Sequence, residues 1–98
     1  MPAEEPLSRR VIVEGFVQGV GYRYFAYHAA LRLKLSGWVR NRADGTVEAL
    51  ISGPPGAIEA MLSELRRGPR GGRVRSIRLA EAHGAEWTPG TFEVRATA

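Results

Sequence analysis

No cysteine occurs in the chain, which excludes disulfides, thiolate metal sites and a cysteine nucleophile. No apolar run approaches the ~20 residues that would span a bilayer. The start, Met1-Pro2-Ala3-Glu4-Glu5-Pro6, is acidic and proline-containing, whereas a secretory signal is basic and then apolar. The expected location is therefore the cytoplasm. Lysine is nearly missing: Lys34 is the only one, so arginine carries almost all of the +4 net charge. A basic balance attracts phosphate metabolites, nucleic acid and acidic surfaces alike and does not choose among them. Histidine occurs only twice. His28 falls inside a helical pattern, off its core stripe, and His83 stands at the start of a loop. Both read as structural or solvated, and no general base is evident.

What is present fits one domain: 98 residues, 44% hydrophobic and 24% charged, suit a single soluble core without staples. Residues 1–8 read as a frayed leader and 9–98 as the domain. Arg10-Val11-Ile12-Val13-Glu14 has the β-branched content of a strand, apolar on both faces and so central rather than edge. From Tyr22 the period becomes helical. Tyr22, Phe25, Ala26, Ala29, Ala30 and Leu33 form one stripe, and the helix is expected to end near Leu35-Ser36-Gly37. Tyr24, Tyr27, His28 and Leu31 lie toward its other side.

Trp38 to Arg42 and Thr46 to Ile51 flank Asp44-Gly45, a strong hairpin signal. Gly53-Pro54-Pro55-Gly56 breaks the second strand and opens a helix with Ile58, Met61, Leu62 and Leu65 on one stripe. Gly68-Pro69-Arg70-Gly71-Gly72 ends that helix. A strand over 73–81 follows, with a bulge or twist expected because Val74 and Ile77 do not alternate in phase. Residues 83–90 read as a loop, and Phe92, Val94 and Ala96 as a last short strand. The order predicts an α+β, ferredoxin-like βαββαβ two-layer sandwich. Its antiparallel sheet carries two helices on one face, plus a short fifth strand. That fold hosts many functions and decides nothing about chemistry.

The informative stretch is Gly15-Phe16-Val17-Gln18-Gly19-Val20-Gly21-Tyr22-Arg23, joining a strand to a helix N-terminus. Its glycines allow a tight turn and close approach to a ligand. Helix-opening N–H groups lack intrahelical partners and carry partial positive charge. Loop N–H groups turned inward beside them form an anion nest, and arginine adds a planar fork for two phosphate oxygens. The Gly-Lys-Ser/Thr ending of a nucleotide P-loop is missing, as are the third glycine and acid of a dinucleotide fingerprint. A tight connection with a solvated arginine reads the same at this level. Asn41, before the Asp44-Gly45 turn, can donate and accept hydrogen bonds and so hold a water; asparagine is also simply common near turns.

The run Gly15 to Arg23 resembles the acylphosphatase signature G-x-V-Q-G-V-G-[FY]-R, and Gly37-Trp38-Val39-Arg40-Asn41 through Gly53 resembles that family's second signature. Gly68-Pro69 and Phe92-Glu93-Val94-Arg95 resemble its late loop and last strand, so the likeness runs from about Val11 to Arg95. The resemblance implies hydrolysis of acyl phosphates to carboxylate and phosphate, without metal or cofactor, by a monomer. It implies that Arg23 binds the substrate phosphate and Asn41 orients the attacking water. Backbone N–H groups of Gln18, Gly19, Val20, Gly21 and Tyr22 would complete the cradle, where a phosphate or sulfate ion is also expected. Lys34 stands where many members have glycine; a left-handed backbone there would cost lysine about 1 kcal/mol.

Two other readings use the same residues. One is an inactive acylphosphatase-like phosphate-binding domain, against which the presence of both Arg23 and Asn41 argues. The other is a nucleic-acid-binding module with Arg9, Arg10, Arg40, Arg42, Arg73, Arg75 and Arg78 as a positive face. The paired aromatics of an RNA-recognition strand are missing, so nucleic acid is not the expected partner.

Overall fold

The strand that closes the Asp44-Gly45 hairpin, Val47–Gly53, is buried from Val47 through Ser52, on both of its faces. The computed structural model, which describes residues 6–80, 82 and 85–98, explains this by placing it in the middle of a five-stranded sheet. In chain order the elements are β1 (Leu7–Phe16), α1 (Tyr22–Arg32), β2 (Ser36–Asn41), β3 (Val47–Gly53), α2 (Pro55–Arg67), β4 (Arg73–Ala80) and β5 (Phe92–Arg95). The sheet order is β4-β1-β3-β2-β5. β1 is interior, as its two apolar faces require.

Both helices cover one face. Val11, Val13, Val39, Val47, Ala49, Ile51 and Phe92 pack there against Tyr22, Ala26, Ala29 and Ala30 of α1 and Ile58, Met61, Leu62 and Leu65 of α2. The stripe read for α2 is thus the buried one in full, and Pro55 opens that helix, where its missing N–H costs nothing. The opposite sheet face has a thinner cover of its own. Ile12, Trp38 and Leu50 are buried there. The Arg40 and Arg95 guanidiniums lie 4.7 and 4.9 Å from the Trp38 ring centroid. The indole N–H donates to the Glu86 carbonyl at 2.8 Å.

The structure corrects the sequence reading at four places. β1 starts at Leu7, inside the stretch read as leader, because Leu7 pairs with Gly53 and the Ser8 hydroxyl donates to Ser52 Oγ at 3.1 Å. α1 ends at Arg32, before the expected 35–37, because Lys34 turns left-handed at φ 57°. Its N–H then donates to the Leu31 carbonyl (3.1 Å) and that of Leu35 to Ala30 (2.9 Å), which satisfies the helix end as a Schellman motif. The sheet is antiparallel except at one edge, where β5 runs parallel to β2 from Gly37↔Phe92 to Arg40↔Arg95. β4 finishes at the end of the sheet where β5 begins, so a chain that changes edges there enters β5 in the direction of β2. That strand also stops at Arg95, before Ala96.

The irregularity expected in β4 is present. Glu14 pairs with Ser76 but Gly15 with Val74, leaving Arg75 as the extra residue. The bulge lets Val74 and Ile77 both pack against the helix-side core. His83 and residues 1–5 lie outside the described residues.

Candidate active site

The alternation of strand directions brings the β1–α1 loop, the β2–β3 hairpin and the end of β5 to one end of the sheet. Val17, Gly19, Gly21, Tyr22, Arg23, Tyr24 and Asn41 line a cleft there of about 190 Å³. Gly19 and Gly21 hold φ of 76° and 78°, and a Cβ built on either meets no atom within 4 Å. Backbone conformation, not crowding, is therefore what glycine satisfies at both positions.

Gly21 caps α1 in the left-handed region, without a side-chain acceptor. The opening hydrogen bond runs from the Phe25 N–H to the Gly21 carbonyl at 3.0 Å. The preceding helix N–H groups have no intrahelical acceptor, and the first turn carries no acidic residue to compensate the dipole. Positive potential is left uncancelled at the cleft floor.

Arg23 stands on that first turn, and one of its Nη1 protons goes to the Arg95 carbonyl at 3.2 Å. This bond holds the guanidinium against β5 and leaves its other donors in place for a ligand. Among the described residues Arg23 has no carboxylate partner, unlike most of the chain's other arginines. Asn41 ends β2; its carbonyl accepts the Ala98 N–H at 3.0 Å, while its side-chain amide has no hydrogen-bond partner among the described residues. A cation without an anion and a carboxamide without a partner thus face one small cleft.

The cradle expectation concerns backbone N–H groups of the loop; the side chains of Gln18, Val20 and Tyr22 turn to other partners. Gln18 is not among the cleft-lining residues. Its Nε2 instead donates to the carbonyls of Arg42 and Thr46, each at 2.8 Å, and ties the loop to the hairpin. Val20 is partly buried against the core. Tyr22 sends its ring into the core, where its O–H donates to the Leu65 carbonyl of α2 at 2.7 Å, and burial pushes the phenol's pKa up. Only its backbone remains for the cleft. Two lining residues were not singled out in the sequence for any contact there. Val17 is buried at the floor, and Tyr24 is exposed at the rim.

The turn beside Asn41 is fixed by local chemistry. Asp44 Oδ1 accepts the Thr46 N–H (3.0 Å) and hydroxyl (2.6 Å), and these bonds hold the Asp44 carboxyl below its ordinary pKa. The positive face that a nucleic-acid module needs is largely paired. Arg10 and Arg40 both reach Glu48 at 2.7 Å. Arg42 reaches Asp44 at 3.8 Å, and Arg75 and Arg78 reach Glu14 at 3.2 and 3.5 Å.

Comparison with known proteins agrees over the same span. Residues 9–94 match the family model described as Acylphosphatase. The chain is 52% identical over 75 residues to a protein named Acylphosphatase from Koribacter versatilis, covering 76% of this chain and 68% of that one. It is 42% identical over 89 residues to one of the same name from Syntrophotalea carbinolica, covering 91% and 92%. The crystal structure of acylphosphatase from Bacillus subtilis superposes with a TM-score of 0.83 at 37% identity, covering 93% of this chain and 99% of that one.

Proposed function

The chain belongs to the acylphosphatase family and is an enzyme that hydrolyses acyl phosphates; from that premise we propose how its residues divide the reaction. The phosphoryl group sits at the opening of α1, held by backbone N–H groups of the 18–23 loop and by the Arg23 guanidinium. Asn41 holds the attacking water through its carboxamide. The observation that carries this reading is the pairing of an anion-free Arg23 with a partner-free Asn41 amide on one cleft at a helix N-terminus.

An acyl phosphate is already activated, because its leaving group is a stable carboxylate. Water attacks phosphorus, the bond from phosphorus to the acyl oxygen breaks, and the electron pair leaves with the carboxylate. The water's proton passes to a phosphoryl oxygen, so carboxylate and inorganic phosphate are the products. The protein's part is to place water in line and to meet charge on the equatorial oxygens with fixed donors. Preorganised donors suffice for that, each worth about 10²–10³ in rate.

In this reading the enzyme acts as a cytoplasmic monomer on small acyl phosphates. Hydrolysis of benzoyl phosphate and acetyl phosphate by the purified chain, followed by phosphate release, tests it. Rates equal to the uncatalysed ones on both compounds would reject it in favour of an inactive phosphate-binding domain.

A further inference from the structure

Helix α1 carries five rings in its first two turns, Tyr22, Tyr24, Phe25, Tyr27 and His28, and all but Tyr24 have a ring or cation contact. Tyr22 packs on Phe25 with ring centroids 5.9 Å apart, Arg67 lies 5.3 Å from the Phe25 centroid, and Tyr27 contacts His28 and Phe92 at 5.3 and 6.4 Å. Tyr24 has no ring, cation or hydrogen-bond partner among the described residues and is 61% exposed. It is also the exposed aromatic that lines the cleft holding Arg23 and Asn41.

Exposing a large aromatic ring to water forgoes the burial that its neighbours on the same helix obtain. The cleft explains where such a ring finds a partner. Its polar lining, Arg23 and Asn41 with the loop amides, suits the phosphoryl end of a substrate. Its apolar lining is Val17 and the Tyr24 ring. With the phosphoryl group at the helix opening, the acyl group has to project toward the rim, where the ring stands.

We infer that Tyr24 is the acyl-recognition residue of this site, selecting acyl phosphates whose acyl group presents a flat apolar surface over those with a small acyl group. The inference rests on the assignment of the phosphoryl site given above. Contact with a part of the substrate that does not react persists from ground state to transition state, so it acts on KM more than on kcat.

The test compares the wild type, Tyr24→Ala and Tyr24→Phe on benzoyl phosphate and acetyl phosphate. The ratio of kcat/KM for benzoyl over acetyl phosphate is expected to fall about tenfold in Tyr24→Ala, chiefly through KM for benzoyl phosphate. Tyr24→Phe, which keeps the ring, is expected to retain the wild-type ratio. An unchanged ratio in Tyr24→Ala overturns the inference, as does a Phe variant that loses as much as the Ala variant. In either case continued turnover of acetyl phosphate by the wild type leaves the phosphoryl-site assignment standing; absence of turnover on both compounds overturns both.

Discussion

Gln18 and Arg42 are joined across 24 residues of sequence by a 2.8 Å hydrogen bond from the Gln18 side-chain amide to the Arg42 carbonyl, and the same nitrogen serves Thr46 at the other side of the turn. The loop that offers N–H groups and the hairpin that presents Asn41 are therefore held in register by one side chain. The geometry points to Gln18 as a positioning residue, a role its variants test.

Removing the clamp should show in rate as well as stability. Gln18→Ala is expected to lower stability by about 1–2 kcal/mol. Its kcat should fall about tenfold, because water and phosphoryl group are no longer held to a fraction of an ångström. Gln18→Glu should be worse at neutral pH, since a carboxylate would face two carbonyl oxygens with nothing to donate. Steady-state kinetics beside denaturant unfolding measures both; a Glu variant as active as wild type would deny the clamp its role.

Arg23 and Asn41 should fail in different ways. Arg23→Gln removes a fixed cation from the phosphoryl group and is expected to cost about 10²–10³ in kcat, with weaker inhibition by inorganic phosphate. Arg23→Lys should rescue little, because a point charge lacks the planar fork. Asn41→Ala is expected to lose kcat by a similar factor while phosphate inhibition stays near wild type, since the carboxamide is assigned to water. Inhibition constants for phosphate in the three variants separate the two roles.

The split between what was legible in sequence and what was not follows the distance over which each feature is decided. The β1–α1 loop and the Asp44-Gly45 hairpin are local: glycine positions, helix opening and turn chemistry lie within a few consecutive residues. The phase slip of Val74 and Ile77 even betrayed the bulge, because a two-residue period cannot bury both without an extra residue. The Gln18 backbone belongs to the local loop pattern, but its side-chain partners are set by tertiary approach of a hairpin more than twenty residues on. The direction of β5 depends on which edge of the sheet the chain reaches after β4, and alternation in Phe92 and Val94 says nothing of that. The placement of Arg40 and Arg95 over Trp38 is hidden for a like reason. Charged residues alternating on strands read as solvent-facing, whereas here they roof a buried indole.

Lys34 offers a test at the other end of the sheet from the cleft. Its φ of 57° makes it the only non-glycine residue with positive φ among those described. A left-handed lysine carries a steric cost that glycine does not, partly offset by glycine's freedom in the unfolded chain. Lys34→Gly is expected to raise stability by about 0.5–1 kcal/mol, a shift of a few degrees in Tm, with kcat/KM unchanged. A lower Tm would mean that the lysine side chain contributes something the backbone argument omits.

Glu48 makes stability depend on acid. Its carboxylate is 4% exposed and receives Arg10 Nη1 on one oxygen and Arg40 Nε on the other, each at 2.7 Å. Burial alone would raise its pKa, but the two guanidinium hydrogen bonds outweigh that and hold it below the ordinary glutamate value of 4.5. A depressed folded-state pKa means that the unfolded chain takes up the proton first. The pair's stabilisation is therefore complete above the unfolded value and is lost as pH falls through the folded one. Glu48→Gln is expected to be less stable than wild type by about 1.5–3 kcal/mol at pH 7. Arg10 and Arg40 are each about one-third exposed and remain solvated when the carboxylate goes, so the loss stays below that of a fully buried pair. The gap should narrow below pH 4.5 and close once the wild-type carboxyl is protonated in the folded state. Denaturant unfolding of both proteins between pH 7 and acid gives the difference directly. A gap that stays constant over that range would assign the effect to packing rather than to charge.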